Sequence, residues 1–157
     1  MGSKTNAVRI VEQAGILCKE FWYTFDEKDL SGIHAAEAIG LPPEQVYKTL
    51  VTRGVKTGFH VFCIPVCCEL DLKKAATAAG DKSISMIPVK DLLMTTGYIR
   101  GGCSPIGMKK KYPTYIEESC LLYSEIAVSA GERGHQMLIP LQALIDITNA
   151  QVVDIIA

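Results

Sequence analysis

Two apolar stretches, Tyr47 to Arg53 and Phe59 to Val66, are separated only by Gly54-Val55-Lys56-Thr57-Gly58. A connection that short and bounded by glycines joins neighbouring antiparallel strands, so the segment reads as a β-hairpin. It is flanked by short helical patterns. Thr5 to Ala14 spaces Ala7, Val8, Val11 and Ala14 along one helix face, with Thr5 or Asn6 as N-cap and Gly15 as the stop. Ser31 to Ile39 reads as a short helix closed by Gly40. Pro42-Pro43 then forces a turn, and Pro43 opens a helical turn to Val46. Asp71 to Ala79 is a helix with Leu72, Ala75, Ala76 and Ala79 on one face, capped by Asp71 and ended by Gly80.

The other segments are read more coarsely. Leu17 to Phe25 is aromatic-rich and expected to be extended. Ser83 to Ile87, Thr114 to Glu117, Ile126 to Ser129, Gln136 to Ile139 and Gln151 to Ile156 read as strands. Pro88 opens a short helix through Leu93, and Pro140 begins a last one. Gly97 to Gly107 and Ala130 to Gly134 read as loops. Helices interspersed with hairpins imply an α+β or mixed-sheet α/β domain, not a doubly wound one.

The 157 residues suit a single domain, taken as 1–157. No apolar run approaches the roughly 18 residues of a membrane span. Met1 to Ala14 carries scattered charges and no apolar signal core, so a cytoplasmic location without a membrane partner is expected. The six cysteines form no CxxC, and no histidine is spaced to complete a zinc site with them. They read as reduced thiols, and no metal or other cofactor is expected. With a net charge of −1, any RNA contact has to come from a local patch.

Four segments are candidates for chemistry. Gly101-Gly102-Cys103-Ser104-Pro105-Ile106-Gly107 is neither helix nor regular strand. It is either a structural turn or a loop whose backbone N–H groups cradle an oxyanion or carboxylate. Lys109, Lys110 and Lys111 follow at once, as a solvated charge run or a phosphate-backbone contact. Lys48 lies between Tyr47 and Thr49 at the entry to an apolar strand. It is an ordinary strand-end lysine, or a cation held over a carbonyl, phosphate or terminal ribose. Ser129 to Gly134 is a plain turn, or a loop in which Ser129 donates a hydrogen bond and Arg133 grips an anion. His34, His60 and His135 show no metal or triad spacing, and nothing supports Cys103 as a nucleophile.

In order along the chain, Thr5-Asn6-Ala7, Val46 to Leu50, Glu69 to Lys74, Thr96-Gly97-Tyr98, Gly101 to Lys110, Val128 to Gly131 and Arg133-Gly134 resemble the YbaK/EbsC family of aminoacyl-tRNA deacylases. That family is similar to the editing domain inserted in bacterial prolyl-tRNA synthetases. The resemblance implies a mixed, barrel-like β-sheet flanked by helices. It implies trans editing of mischarged tRNA, with Cys-tRNA(Pro) as the substrate of the branch this sequence looks closest to. Ala-tRNA(Pro) or another small aminoacyl ester is the same-fold alternative. A non-catalytic module binding tRNA or prolyl-tRNA synthetase is the alternative of another class. The resemblance further implies Lys48, Gly101 and Ser129 as catalytic residues, and Tyr23, Thr49, Gly102, Cys103, Ser104 and Pro105 around the substrate. Lys109, Lys110, Lys111 and Arg133 would meet tRNA, and prolyl-tRNA synthetase would complete a ternary complex. Some members carry an acidic residue where Gln136 stands and an aliphatic one where Cys103 stands, which argues against an essential carboxylate or thiol here.

Overall fold

A computed structural model describes residues 4–157; the first three residues of the Met1 to Ala14 stretch lie outside the described ones. The strands are β1 Lys19–Trp22, β2 Tyr47–Gly54, β3 Gly58–Pro65, β4 Ile84–Met86, β5 Thr114–Glu117, β6 Glu125–Glu132, β7 His135–Pro140 and β8 Gln151–Val153. The helices are α1 Asn6–Gln13, α2 Gly32–Ile39, α3 Leu72–Ala79, α4 Leu92–Thr96 and α5 Leu141–Thr148.

The expected hairpin is the centre of the molecule. β2 and β3 pair from Tyr47↔Pro65 to Gly54↔Gly58. The Asp81 carboxylate fastens its turn, accepting from the Lys56 and Thr57 amides at 3.1 and 2.8 Å and from the Thr57 hydroxyl at 2.6 Å. These bonds, the Thr57 hydroxyl first, hold the carboxyl well below the usual range. β4 adds antiparallel to β2, whereas β5 adds parallel to β3 and β8 parallel to β5, giving a mixed sheet in the order β4-β2-β3-β5-β8. An antiparallel sheet, β1-β7-β6, lies beside it, and a parallel bridge from Val46 to Ala127 joins the two. The strands thus form an α+β fold of two seamed sheets rather than one continuous sheet.

β3 is largely apolar and buried along most of its length because both faces of the mixed sheet are covered there. Val61 and Cys63 of β3 pack with α1, α5 and the second sheet, against Val8, Ile139 and Leu144. Phe62 and Ile64 face the other way, onto Ala75 and Ala76 of α3. The Val, Ile, Leu and Phe side chains among these each contribute roughly 1.5–3 kcal/mol by leaving water. A third cluster, Ala36, Val46, Val66, Ala127 and Leu138, seats α2 over the seam between the sheets.

The helix ends follow the sequence. Thr5, Ser31 and Asp71 accept N-terminal amides of α1, α2 and α3, and Gly40 and Gly80 close α2 and α3 in the left-handed conformation. Several boundaries differ from expectation. The Leu17 to Phe25 stretch is a strand only over Lys19–Trp22, and Leu17 is 91% exposed. Ala14 lies outside α1 and is exposed. Leu72 is 44% exposed, so Ala75 and Ala76 bury the face of α3. After Pro88 a 3-10 turn at Val89–Asp91 precedes α4, so the helix extends past Leu93 to Thr96. β6 continues to Glu132 through an irregularity between Ser129 and Glu132, taking up part of the expected loop. β8 stops at Val153. No described helix is long and apolar enough to cross a membrane.

Candidate functional site

Lys48 is placed by the seam. The Pro43–Gln45 turn delivers the chain into β2, and the Gln45 amide donates to Glu125 O at 3.1 Å. Tyr47 is buried, its hydroxyl sharing a 2.8 Å hydrogen bond with Ser119 Oγ. Lys48 follows, half-buried, with no hydrogen bond or ion pair among the described residues.

It lines a cleft of about 380 Å³. The walls come from Tyr23 after β1, Leu30 to Ile33 at the start of α2, and Val46 to Leu50 of β2. Arg100, Gly101 and Cys103 of the glycine loop and the cross-strand pair Ser129 and Gln136 complete them. The structure therefore brings together Tyr23, Lys48, Thr49, Gly101, Cys103 and Ser129 from segments far apart in sequence.

Two buried side-chain oxygens lack hydrogen-bond partners among the described residues, Thr49 Oγ1 and Gln136 Oε1, and both residues line this cleft. Thr49 has only the weakly polar Cys63 thiol opposite it. Orphaned buried acceptors are costly, and they concentrate where a ligand supplies the missing partner. Ser129 Oγ accepts from the Gly131 amide at 3.1 Å, leaving its proton for another acceptor. Burial raises the Tyr23 phenol above its ordinary range, with Gln136 and the Gly134 backbone pulling the other way.

The glycine loop is held from outside the cleft. Asn6 Nδ2 donates to Gly107 O at 2.7 Å, and the Tyr98 hydroxyl donates to Ile106 O at 2.6 Å. A Cβ on Gly107 would stand 2.8 Å from the Tyr98 hydroxyl oxygen, and one on Gly131 3.0 Å from the Tyr98 ring and 3.1 Å from Thr5. Thr5-Asn6, Tyr98, Gly107 and Gly131 thus form a buckle clasping the loop to the irregular end of β6. At Gly101 the chain takes φ +85° beside Leu30 and Arg133, a conformation that favours glycine.

Part of the expected cradle is not in the cleft. The Gly102 amide donates to Ile99 O at 2.9 Å, and its α-carbon is backed against the Glu132–Arg133 backbone. Ser104 is fully buried, its Oγ accepting from the Ile106 amide at 3.2 Å. Pro105 lines a separate depression. Gly102, Ser104 and Pro105 therefore shape the loop, while Gly101 and Cys103 face the cleft. The amides of Gly101 and Cys103 have no partner among the described residues.

The cations expected to meet tRNA lie outside the cleft. Lys109 folds back over Gly97 and donates to Met94 O at 3.4 Å. Lys110 and Lys111 line the depression with Ile10, Pro105 and Tyr112, which shares no residue with the cleft. Arg133 Nε donates to Arg100 O at 2.9 Å, and its guanidinium stands 3.9 Å from Glu27. Arg133 braces the glycine loop.

The cleft holds no assembled protein nucleophile. None of the three histidines lines it. Burial pushes the Cys103 thiol up to about 12, so it stays protonated near neutrality. The one acidic group among the described residues close enough to share an ion, Glu117, Glu118 and Asp154, lies elsewhere, with Glu117 accepting from the Ile155 amide and Asp154 paired with Lys74. Sequence reasoning missed Arg100 and the Leu30 to Ile33 wall. Gly32 held the available signal: a Cβ there would overlap the Val66 side chain, so α2 lies against the seam only because this residue has none.

The aminoacyl-tRNA editing domain model matches residues 30–147. The chain belongs to that family. The matched span of the editing domain opens at the Leu30 wall and includes Lys48, Gly101 and Ser129, while Thr5-Asn6 and Tyr23 precede it. The chain is 51% identical over 152 residues to EbsC of Enterococcus faecalis, provisionally named a Cys-tRNA(Pro)/Cys-tRNA(Cys) deacylase, covering 97% of this chain and 93% of that one. It is also similar to a solved structure described as a candidate trans-editing enzyme for prolyl tRNA synthetase. The identity there is 26% and the TM-score 0.82, over 99% of both chains.

Proposed function

We propose that this editing domain is a trans-acting aminoacyl-tRNA deacylase that clears Cys-tRNA(Pro), with Lys48, Gly101 and Ser129 at the reacting ester. The observation that carries the reading is an unpaired Lys48 in a small cleft with two orphaned polar groups and no protein nucleophile. The names carried by EbsC and by the trans-editing relative support the substrate. An aminoacyl ester is already activated, so positioning supplies much of the rate. Lys48 orients the terminal ribose or ester, the free Gly101 and Cys103 amides stabilise the developing oxyanion, and Ser129 and Thr49 hold the leaving oxygen.

The nucleophile is the substrate's own sulfur. The thiol gives up its proton, the sulfur bonds to the carbonyl carbon, and the carbon–oxygen ester bond breaks. The proton ends on the ribose oxygen. The products are free tRNA and a four-membered cyclic thioester that water opens to cysteine. This route requires no triad, metal or protein thiol.

Selection of tRNA(Pro) comes from prolyl-tRNA synthetase in a ternary complex, with Lys109 to Lys111 and Arg133 meeting the phosphate backbone. A net charge of −1 and a lysine cluster turned away from the cleft suit shared recognition. The test is a deacylation panel of Cys-, Ala-, Ser- and Pro-tRNA(Pro), with and without prolyl-tRNA synthetase. Cys-tRNA(Pro) should be cleared fastest. Preference for Ala-tRNA(Pro) overturns the specificity, and absence of turnover on every substrate overturns the enzyme.

A further inference from the structure

Beside the cleft, and sharing Tyr23 with it, is a cavity of about 880 Å³ that the reaction does not use. His135 forms part of its lining and is 4% exposed. A carboxylate clamps each ring nitrogen, Glu20 at 2.8 Å on Nε2 and Glu132 at 2.7 Å on Nδ1. Trp22 is the cross-strand partner of His135 and stacks on the clamped ring, with centroids 4.4 Å apart and planes 20° apart. Trp22 is nevertheless 67% exposed, and Phe25 of the same cavity is 40% exposed. One face of the indole is fixed by the imidazole and the other is left open.

We propose that this cavity holds the cytidine preceding the aminoacylated terminal adenosine of the tRNA 3′ end, its base stacked on Trp22. The proposal rests on the deacylase reading of the cleft. Tyr23 is a wall of both cavities, so the two lie side by side and a strand leaving the terminal ribose would reach the second past this residue. An indole held flat and open is a stacking platform for a single-stranded base. The rim chemistry favours an amino-bearing base over uracil, and the position next to the terminal adenosine makes that base cytosine. Glu20 Oε2 and Glu132 Oε1 have no hydrogen-bond partner among the described residues, and a carboxylate accepts from the exocyclic amino group of cytosine. Uracil offers an acceptor at that position and would meet the carboxylates with repulsion. The two tRNA nucleotides before the terminal adenosine are both cytidines.

Trp22 is the only tryptophan in the sequence, so its fluorescence reads the platform directly. Unacylated CCA trinucleotide should quench it saturably, UUA should bind at least about tenfold more weakly, and adenosine alone, lacking the linked cytidines, should quench only at much higher concentration. No quenching by CCA, or equal binding of CCA and UUA, overturns the proposal. On Cys-tRNA(Pro), Trp22→Ala should lower kcat/KM roughly tenfold to hundredfold through KM, and Trp22→Phe should restore most of it. The cysteinyl ester of adenosine, which lacks the cytidines, should react equally with wild type and Trp22→Ala; equal losses on both substrates overturn the proposal. The titration needs no turnover. A protein that binds CCA without deacylating anything defeats the deacylase reading, whereas an active enzyme blind to CCA defeats this one.

Discussion

The Tyr98 hydroxyl donates to the Ile106 carbonyl at 2.6 Å, tying the end of α4 to the far side of the glycine loop. Both residues are buried, so without the hydroxyl the carbonyl is left with no partner in place of water. Tyr98→Phe should therefore cost about 1–3 kcal/mol in urea denaturation and speed amide exchange from Gly101 to Gly107. Deacylation should fall with it, because the loop presents Gly101 and Cys103 to the cleft. Unchanged stability and exchange would show that the loop stands without this clasp.

Lys48 offers the opposite combination. It is half-buried and unpaired, so Lys48→Ala breaks no bond made by the described residues. Melting temperature should move little. Turnover of Cys-tRNA(Pro) should fall about a hundredfold or more, the scale of losing one stabilising group at a developing charge. A wild-type rate in a folded Lys48→Ala variant removes Lys48 from the site.

The thiol inventory gives a test without tRNA. Cys63 and Cys120 are fully buried and Cys103 is held up to about 12, whereas Cys67 is exposed. Ellman's reagent at pH 7.5 should label Cys67 rapidly, Cys103 slowly through the cleft, and Cys63 and Cys120 only on unfolding. Cys103→Ala should keep its deacylase rate, since the thiol supplies neither electrons nor a proton. Loss of activity in that variant without loss of fold would assign the sulfur a role.

What was legible in the sequence is what is local. The hairpin, the caps at Thr5, Ser31 and Asp71 and the left-handed Gly40 and Gly80 follow from side chains next to the structure they make. The parallel pairing of β3, β5 and β8 was not legible, because its partners are distant in sequence and no turn residue announces them. The site was half legible. Lys48 and the glycine loop stood out by composition, but adjacency in sequence does not put the neighbouring cations beside Lys48. Lys109 to Lys111 directly follow the loop, yet the chain reverses at Gly107 and sends Lys109 back over Gly97, away from the cleft. The motif glycines likewise shape the loop against Tyr98 and the Glu132–Arg133 backbone more than they touch substrate.

Alkaline pH should unfold the protein progressively. Burial raises the thiols of Cys18 and Cys120 to about 11 and those of Cys63 and Cys103 to about 12, from ordinary values of 9.0, and holds the Tyr98 phenol at about 12. All of these groups bind their protons more tightly folded than unfolded. Above pH 9 the unfolded chain releases thiol protons that the folded chain retains, so stability falls with pH. The full contribution is present below pH 9 and is lost as pH rises through 11 to 12. Urea midpoints under reducing conditions should hold steady from pH 7 to 8.5 and decline from pH 9 to 11; a flat profile over that upper window would show that these thiols are solvated.

The substrate thiol carries the last prediction. Ser-tRNA(Pro) differs from Cys-tRNA(Pro) by one atom, and a pocket that small discriminates such a change by only a few kcal/mol in binding. A nucleophilic sulfur adds a chemical difference to that steric one, because a hydroxyl is far less ionised near neutrality than a thiol. Single-turnover rates on Cys-tRNA(Pro) should therefore exceed those on Ser-tRNA(Pro) by more than binding accounts for, and should rise with pH as the substrate thiol ionises. S-methylation of the substrate cysteine removes the nucleophile while keeping the ester, and should abolish the reaction while leaving the modified tRNA a competitive inhibitor. Hydrolysis of the S-methyl substrate at the Cys-tRNA(Pro) rate would make water the nucleophile and pass the positioning role to Thr49 and Ser129, whose hydroxyls lie on the cleft wall.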